Sequence, residues 1–161
     1  RSDIHTNKIA YFAADLVGRL FQPHDPHPNM YGAFVHLLRH IGSGGETSST
    51  NDEKRLLDFQ WVALCEVGLQ PILGECSAGV DVVHFDPRDG GRVIDHQTPT
   101  SWRVRVATIN ILETLRTGVV DSTPIPSDDS LVRANRLLAA YIRDSISEEP
   151  FTMRRLFGVL T

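Results

Sequence analysis

Five arginines near the end of the chain carry the most usable chemistry in it. Arg133, Arg136 and Arg143 stand at i, i+3 and i+10, and Arg154 and Arg155 follow. Offsets of three and ten residues keep side chains on one face of a helix. Leu138, Tyr141 and Ile142 fall within the same stretch. A guanidinium grips a carboxylate through two parallel hydrogen bonds. The set is therefore read as a basic rim beside an apolar floor, suited to an acidic peptide with an apolar end. The competing reading is an ordinary solvated face. Histidines offer less. His36 and His40 have the i, i+4 spacing of zinc enzymes, but Leu37 stands where the catalytic glutamate would follow the first His. His24 and His27 lie in a proline-rich break, and all four are read as surface or boundary residues. There is no G-x-S-x-G elbow, no P-loop and no dinucleotide fingerprint. Gly42–Gly45 follows a helical pattern, whereas a phosphate cradle precedes one. No catalytic residue, cofactor or metal ligand is assigned.

The elements that must position these residues are mostly helical. Ile9, Phe12, Ala13, Leu16, Val17 and Leu20 recur at helical spacing and predict a helix over Asn7–Phe21. Three prolines break the chain before a second helix, Asn29–Ile41. Gly42–Asn51 has the composition of a flexible loop, and Asn51 or Asp52 is placed to cap the next helix. From Leu56 on, that helix is the most apolar segment of the chain; Trp61 stands mid-helix and is read as core. Cys65 is read as a small buried filler on the same helix, and Gly68 as its left-handed cap. Pro71 forces an extended exit. Two short runs, Asp81–Phe85 and Arg92–Ile94, flank Asp86-Pro87-Arg88-Asp89-Gly90-Gly91 and predict a hairpin. Trp102–Thr117 reads two ways at its start, because Trp102, Val104 and Val106 alternate with Arg103 and Arg105 as in a strand. Its length favours a helix, capped by Gly118. Val119–Ser127 connects to a long helix, Ser130–Ser147, and Pro150 restarts a short one through Phe157. The fold class is mainly α: five to six helices with a small β-hairpin inserted after the central one.

Charge and length bound the function. At 161 residues the chain can bury a core without metals or disulfides, and two cysteines are too few for a disulfide framework. The net charge is −4, which excludes a chain-wide electrostatic attraction to nucleic acid. Basic and acidic residues number 8 and 13 over residues 1–100, but 8 and 7 over residues 101–161. The apolar run Trp61–Cys65 is far short of a membrane span.

The order of the segments "GLQP", "GEC", "HFDPRDGG" and "RVID" after a buried helix resembles the C-terminal region of the RecO family of bacterial recombination mediators. So do "YFAADLVGRLFQPHDPHPNMYGAFVHLLRHI" and "RANRLLAAYIRDSI" with "FTMRRL". The resemblance is one of pattern and runs from about Ala10 to Leu156. It implies that residues 1–161 are one RecO-like C-terminal helical domain, with about residues 74–97 as a zinc-knuckle hairpin. Family members carry two Cys pairs there. Here Cys76 matches the first position, Gly79 stands at the second, and Ile94 and Gln97 stand at the other two. A degenerate, metal-free knuckle is expected, although a shift in register would bring Cys76 and His96 together as half a site.

The resemblance also implies a non-enzymatic role in DNA repair and recombination. Such a mediator helps recombinase load on single-stranded DNA coated with the binding protein SSB, and anneals strands. The five arginines, with Leu138, Tyr141 and Ile142, would receive the SSB C-terminal tail; RecR would be a second partner. Much of the DNA grip would belong to an N-terminal oligonucleotide-binding barrel. The chain opens at Arg1 without Met and is read as a fragment lacking that barrel. Location would be cytoplasmic, with the nucleoid. The alternative is a helical interaction module with an unrelated partner and no DNA role.

The missing ligand positions generate a first prediction. Structural zinc supplies folding energy outright. A strong chelator should leave the melting temperature unchanged, as calorimetry would record. One equivalent of tightly bound zinc in purified protein would contradict the metal-free reading.

Overall fold

The apolar run around Trp61 lies at the centre of the molecule. The structure is a computed structural model, and it describes residues 2–43, 48–74, 76, 78–118 and 126–160. Helix α3 (Ser48–Glu66) buries Leu56, Leu57, Phe59, Trp61, Ala63 and Leu64. It packs most extensively on α5 (Asp128–Ile146) and α2 (Pro28–His40), and less on α1 (Ser2–Leu20). Ile9, Phe12, Ala13 and Leu16, three or four apart on α1, are all buried. The short α6 (Phe151–Phe157) closes on α1. There Phe157 meets the Phe12 ring edge-on at 5.3 Å, and the Thr152 hydroxyl donates to Asp15 at 2.5 Å.

Between α3 and α5 the chain forms a three-stranded antiparallel sheet and one more helix. The strands β1 (Val82–Asp86), β2 (Arg92–Ile94) and β3 (Trp102–Arg105) are ordered β2-β1-β3, so β3 lies at a sheet edge. Phe85 pairs with both Val93 and Trp102. Its side chain is fully buried, stacks on Trp102 at 5.8 Å and meets Tyr141 edge-on at 5.5 Å. That contact seats the sheet on α5. The β1–β2 turn requires glycine at Gly91: φ is +72°, and a Cβ there would lie 2.7 Å from the Phe85 ring and 2.9 Å from Pro71.

Asp86 ties this turn to the approach to β3. Its carboxylate accepts from the Thr98 hydroxyl at 2.9 Å, from the Thr100 hydroxyl at 2.9 and 3.0 Å, and from the Arg88 N–H at 3.0 Å. Burial opposes its charge. The hydrogen bonds from Thr100, Thr98 and the backbone of Arg88 and Asp89 prevail and hold the carboxyl below the usual carboxylate range.

The mainly α class with its small β insert holds, and Gly68 and Gly118 take the left-handed conformation expected of caps (φ +71° and +66°). Trp61, 7% exposed, is core. Four expectations need correction. The hairpin has a third strand, because Trp102–Arg105 pairs with β1 before α4 (Val106–Thr117) begins; the strand-like alternation of those residues was the true signal. Helix α1 begins at Ser2, before the expected Asn7. Helix α3 begins at Ser48, and Asp52 lies inside it, accepting the Gly42 N–H at 3.1 and 3.2 Å. Cys65 is exposed, its thiol donating to Gln70 at 3.4 Å. Of the connectors, residues 44–47 and 119–125 lie outside the described residues.

The closest tie between distant helices is polar. Asn135, 0% exposed on α5, donates its amide to the Glu53 backbone carbonyl at 2.8 Å and carboxylate at 2.6 Å, and accepts from Gln60 at 2.8 Å. His5 of α1 reaches the same Glu53 carboxylate at 3.2 Å. The hydrogen bond to Glu53 raises the His5 pKa above its ordinary 6.5 against the effect of burial, with the charges of Glu53 and Asp52 adding to it.

That shift has a definite sign. A raised folded-state pKa contributes stability that is fully present below the unfolded value and lost as pH rises through the folded one. Melting temperatures of wild type and His5→Gln should differ most below about pH 6.5 and converge above the folded value. A constant gap across the range would contradict the His5–Glu53 contact.

Candidate functional site

A groove runs between β3 and α5, and it gathers four arginines that are in no ion pair among the described residues. All four residues of β3 line it, opposite Arg133, Arg136, Leu137 and Ala140 of α5, with Thr108 and Leu160 completing the wall. Its volume is about 280 Å³. Val104, Leu137, Ala140 and Leu160 are buried and Trp102 is half-buried, and these five make the apolar part of the lining. Arg103 and Arg105 are exposed, and Arg133 and Arg136 are half-buried. Among the described residues, none of these four arginines lies in an ion pair. Four guanidinium groups around an apolar slot focus a positive potential on a chain of net charge −4.

Arg133 is the sharpest feature. One guanidinium nitrogen donates to the Ser130 hydroxyl at 3.4 Å, while its buried Nε has no hydrogen-bond partner among the described residues. A shielded donor left unpaired costs about 1–3 kcal/mol.

The structure divides the residues singled out from the sequence. Arg133 and Arg136 reach the groove together, as their helical spacing requires. Arg136 is already engaged: it donates to the carbonyl of Phe157 and, at 2.7 Å, to that of Val159. Arg143 donates to the Leu160 carbonyl at 2.6 Å. Arg154 and Arg155 are exposed on α6, away from the groove lining, and Arg155 lies over the Phe151 ring at 5.6 Å. Leu138, Tyr141 and Ile142 cannot form an apolar floor. They are 0%, 3% and 1% exposed because the sheet and the neighbouring helices cover them. The apolar lining comes instead from Leu137 and Ala140 on α5, Val104 and Trp102 on β3, and Leu160. Arg103 and Arg105 were missed as site residues; their alternation with Trp102 and Val104 was the available signal.

The remaining candidates do not assemble. Cys76 lines a wide cleft of about 500 Å³ with Gly79, Val80, Glu113 and Arg116, in which Glu113 and Arg116 pair with each other at 2.6 Å. Burial pushes the Cys76 thiol pKa up, and the charges of Asp95 and Glu113 add to this, so it is a poor nucleophile. His84 faces Ser101 at 3.4 Å and His96 is exposed. His36 and His40 stack on each other at 4.3 Å, and His40 bonds back to the His36 carbonyl at 2.7 Å. Among the described residues, no three His, Cys, Asp or Glu are grouped to hold a metal, and no helix is long and apolar enough to cross a membrane.

Comparison with known proteins agrees with the resemblance read from the sequence. The chain is 27% identical over 140 residues to a protein of Methylobacterium nodulans named DNA repair protein RecO, covering 84% of this chain and 52% of that one. It thus spans about half the length of that relative. No solved structure matches. The family model described as Recombination protein O C terminal matches residues 1–155, and the chain belongs to that family.

Proposed function

We propose that this chain is the helical part of a non-enzymatic DNA repair and recombination mediator, and that it works as a protein-interaction domain. The observation that carries the reading is the β3–α5 groove, with four arginines unpaired by acid around an apolar slot. A peptide that is acidic and ends in an apolar residue is complementary to it on both counts. The C-terminal tail of SSB has that chemistry. Its terminal side chain would enter between Val104, Leu137 and Ala140, and its carboxylates would meet Arg103, Arg105 and Arg133. Capturing SSB this way would bring a mediator to coated single strands, where recombinase is loaded and complementary strands are annealed. RecR would be the second partner, and most of the DNA contact would belong to segments of the relative's length that this chain does not span.

The role of the five arginines changes in this reading. Arg133 and Arg136 are at the groove; Arg143 acts from behind, through the segment it holds; Arg154 and Arg155 lie on the separate face of α6. Rim charges chiefly set association rate and salt dependence, while the buried anchor sets dwell time.

The test uses residues with no internal duty beyond the weak Arg133–Ser130 contact. A labelled SSB tail peptide is titrated against wild type and an Arg105→Glu, Arg133→Glu double variant at two salt concentrations. Wild type should bind, more weakly at high salt. The variant should lose affinity roughly a hundredfold, from about 2–5 kcal/mol for charged contacts reversed at a partly desolvated site. Its melting temperature should stay within a few degrees of wild type, because Arg105 is exposed and replacing half-buried Arg133 also removes its unpaired buried Nε. Equal affinity, or no binding to wild type, would remove the groove from the account.

A further inference from the structure

Part of this chain already forms one wall of the groove and engages one of its arginines, Arg136. After α6, Gly158 takes φ +69° and turns the chain back toward α5. Residues Phe157–Leu160 then run beside that helix, tied by guanidinium groups to three carbonyls: Phe157 and Val159 by Arg136, Leu160 by Arg143. Leu160 is 5% exposed and forms part of the apolar lining, while Gly158 and Val159 are exposed. An apolar side chain in a slot, with backbone oxygens on arginines, is the arrangement a bound peptide end would adopt. It is here made by an internal segment.

We propose that residues Phe157–Leu160 are a built-in competitor for the groove, displaced when an acidic peptide with an apolar end binds. The inference rests on the peptide-binding reading above. Its physical basis is an exchange of like for like. The incoming apolar side chain replaces Leu160 against Val104, Leu137 and Ala140. The incoming carboxylates meet Arg103, Arg105 and Arg133 and replace neutral carbonyls on Arg136, and charge-assisted hydrogen bonds are about twice as strong as neutral ones. A peptide ending in an apolar residue without acids gains nothing over Leu160 and should fail to displace it. The segment therefore sharpens selectivity for acidic partners and lowers the apparent affinity by the fraction of molecules in which the groove is closed. Few of its backbone groups are committed to regular structure, because it lies beyond the last turn of α6. Opening therefore does not require α6 itself to unwind.

The experiment uses the full chain and two synthetic peptides. One is a run of aspartates ending in phenylalanine; the other has serines in place of the aspartates. Affinity is measured by fluorescence anisotropy for wild type and Leu160→Ser. Nuclear Overhauser effects between the Leu160 methyls and the methyls of Leu137 and Ala140 are followed in wild type, with and without saturating acidic peptide. The inference expects Leu160→Ser to bind the acidic peptide tighter by roughly threefold or more. It expects the serine peptide to bind Leu160→Ser but not wild type, and the Leu160 cross-peaks to disappear when the acidic peptide binds. Equal affinity in the two proteins, or Leu160 cross-peaks that persist, would overturn the competitor while leaving the groove reading intact. If Leu160→Ser does not fold, the cross-peaks of wild type decide alone. Binding of the acidic peptide to neither protein would overturn the groove reading, and this inference with it.

Discussion

One buried amide fixes how the rest of the molecule is aligned. Asn135 lies inside the contact between α3 and α5, with both ends of its side chain satisfied by Glu53 and Gln60. Leu131, Ala134, Leu138 and Ile142 are buried beside it on α5. Hydrophobic contact alone would tolerate small rotations and slides of such a helix. The polar tie does not: moved out of register, Asn135 would leave buried donors unpaired, at about 1–3 kcal/mol each. Fixing α5 in this way also fixes the direction of Arg133, Arg136 and Arg143, which stand on the same helix. The sheet is seated on α5 independently, through Phe85 against Tyr141. With α5 and β3 both held, the groove between them has a defined width, and its arginines have defined places.

The electrostatics follow from that placement more than from composition. A chain with net charge −4 is a poor general binder of polyanions. Four of its other arginines are neutralised locally: Arg19 by Asp15 and Glu148, Arg55 by Asp52, Arg92 by Asp89, Arg116 by Glu113. The groove arginines are the contrast, being left for backbone oxygens or for a ligand. Arg133 carries this furthest, with a buried Nε that no described residue satisfies. Local charge focused at an apolar slot favours a short acidic segment over an extended nucleic-acid backbone, which needs a longer basic track.

Much of this was legible in the sequence, and the failures have particular causes. Helical periodicity located the helices, and Gly68 and Gly118 marked two of their ends. The i, i+3 spacing placed Arg133 and Arg136 together. Periodicity says which side of a helix is apolar, but not what covers it. Leu138, Tyr141 and Ile142 were therefore taken for an open floor when they are core. Strand β3 was hidden because four alternating residues run directly into a twelve-residue helix, and the longer pattern dominated. With β3 went Arg103 and Arg105, half of the groove's charge. The ties from Arg136 and Arg143 to Phe157–Leu160 span 17 to 23 residues across a helix end and a proline, and no local pattern encodes such contacts. Cys65 faces solvent because even a helix this apolar keeps a narrow exposed edge.

The central claim is spatial: a peptide's apolar terminus sits between β3 and α5. Nuclear Overhauser effects between an acidic peptide with a terminal phenylalanine and the methyl-labelled full chain test it most directly. The account predicts cross-peaks from the terminal ring to the methyls of Leu137, Ala140 and Val104. Cross-peaks confined to methyls on α1 or α2, on the other side of α3, would contradict it.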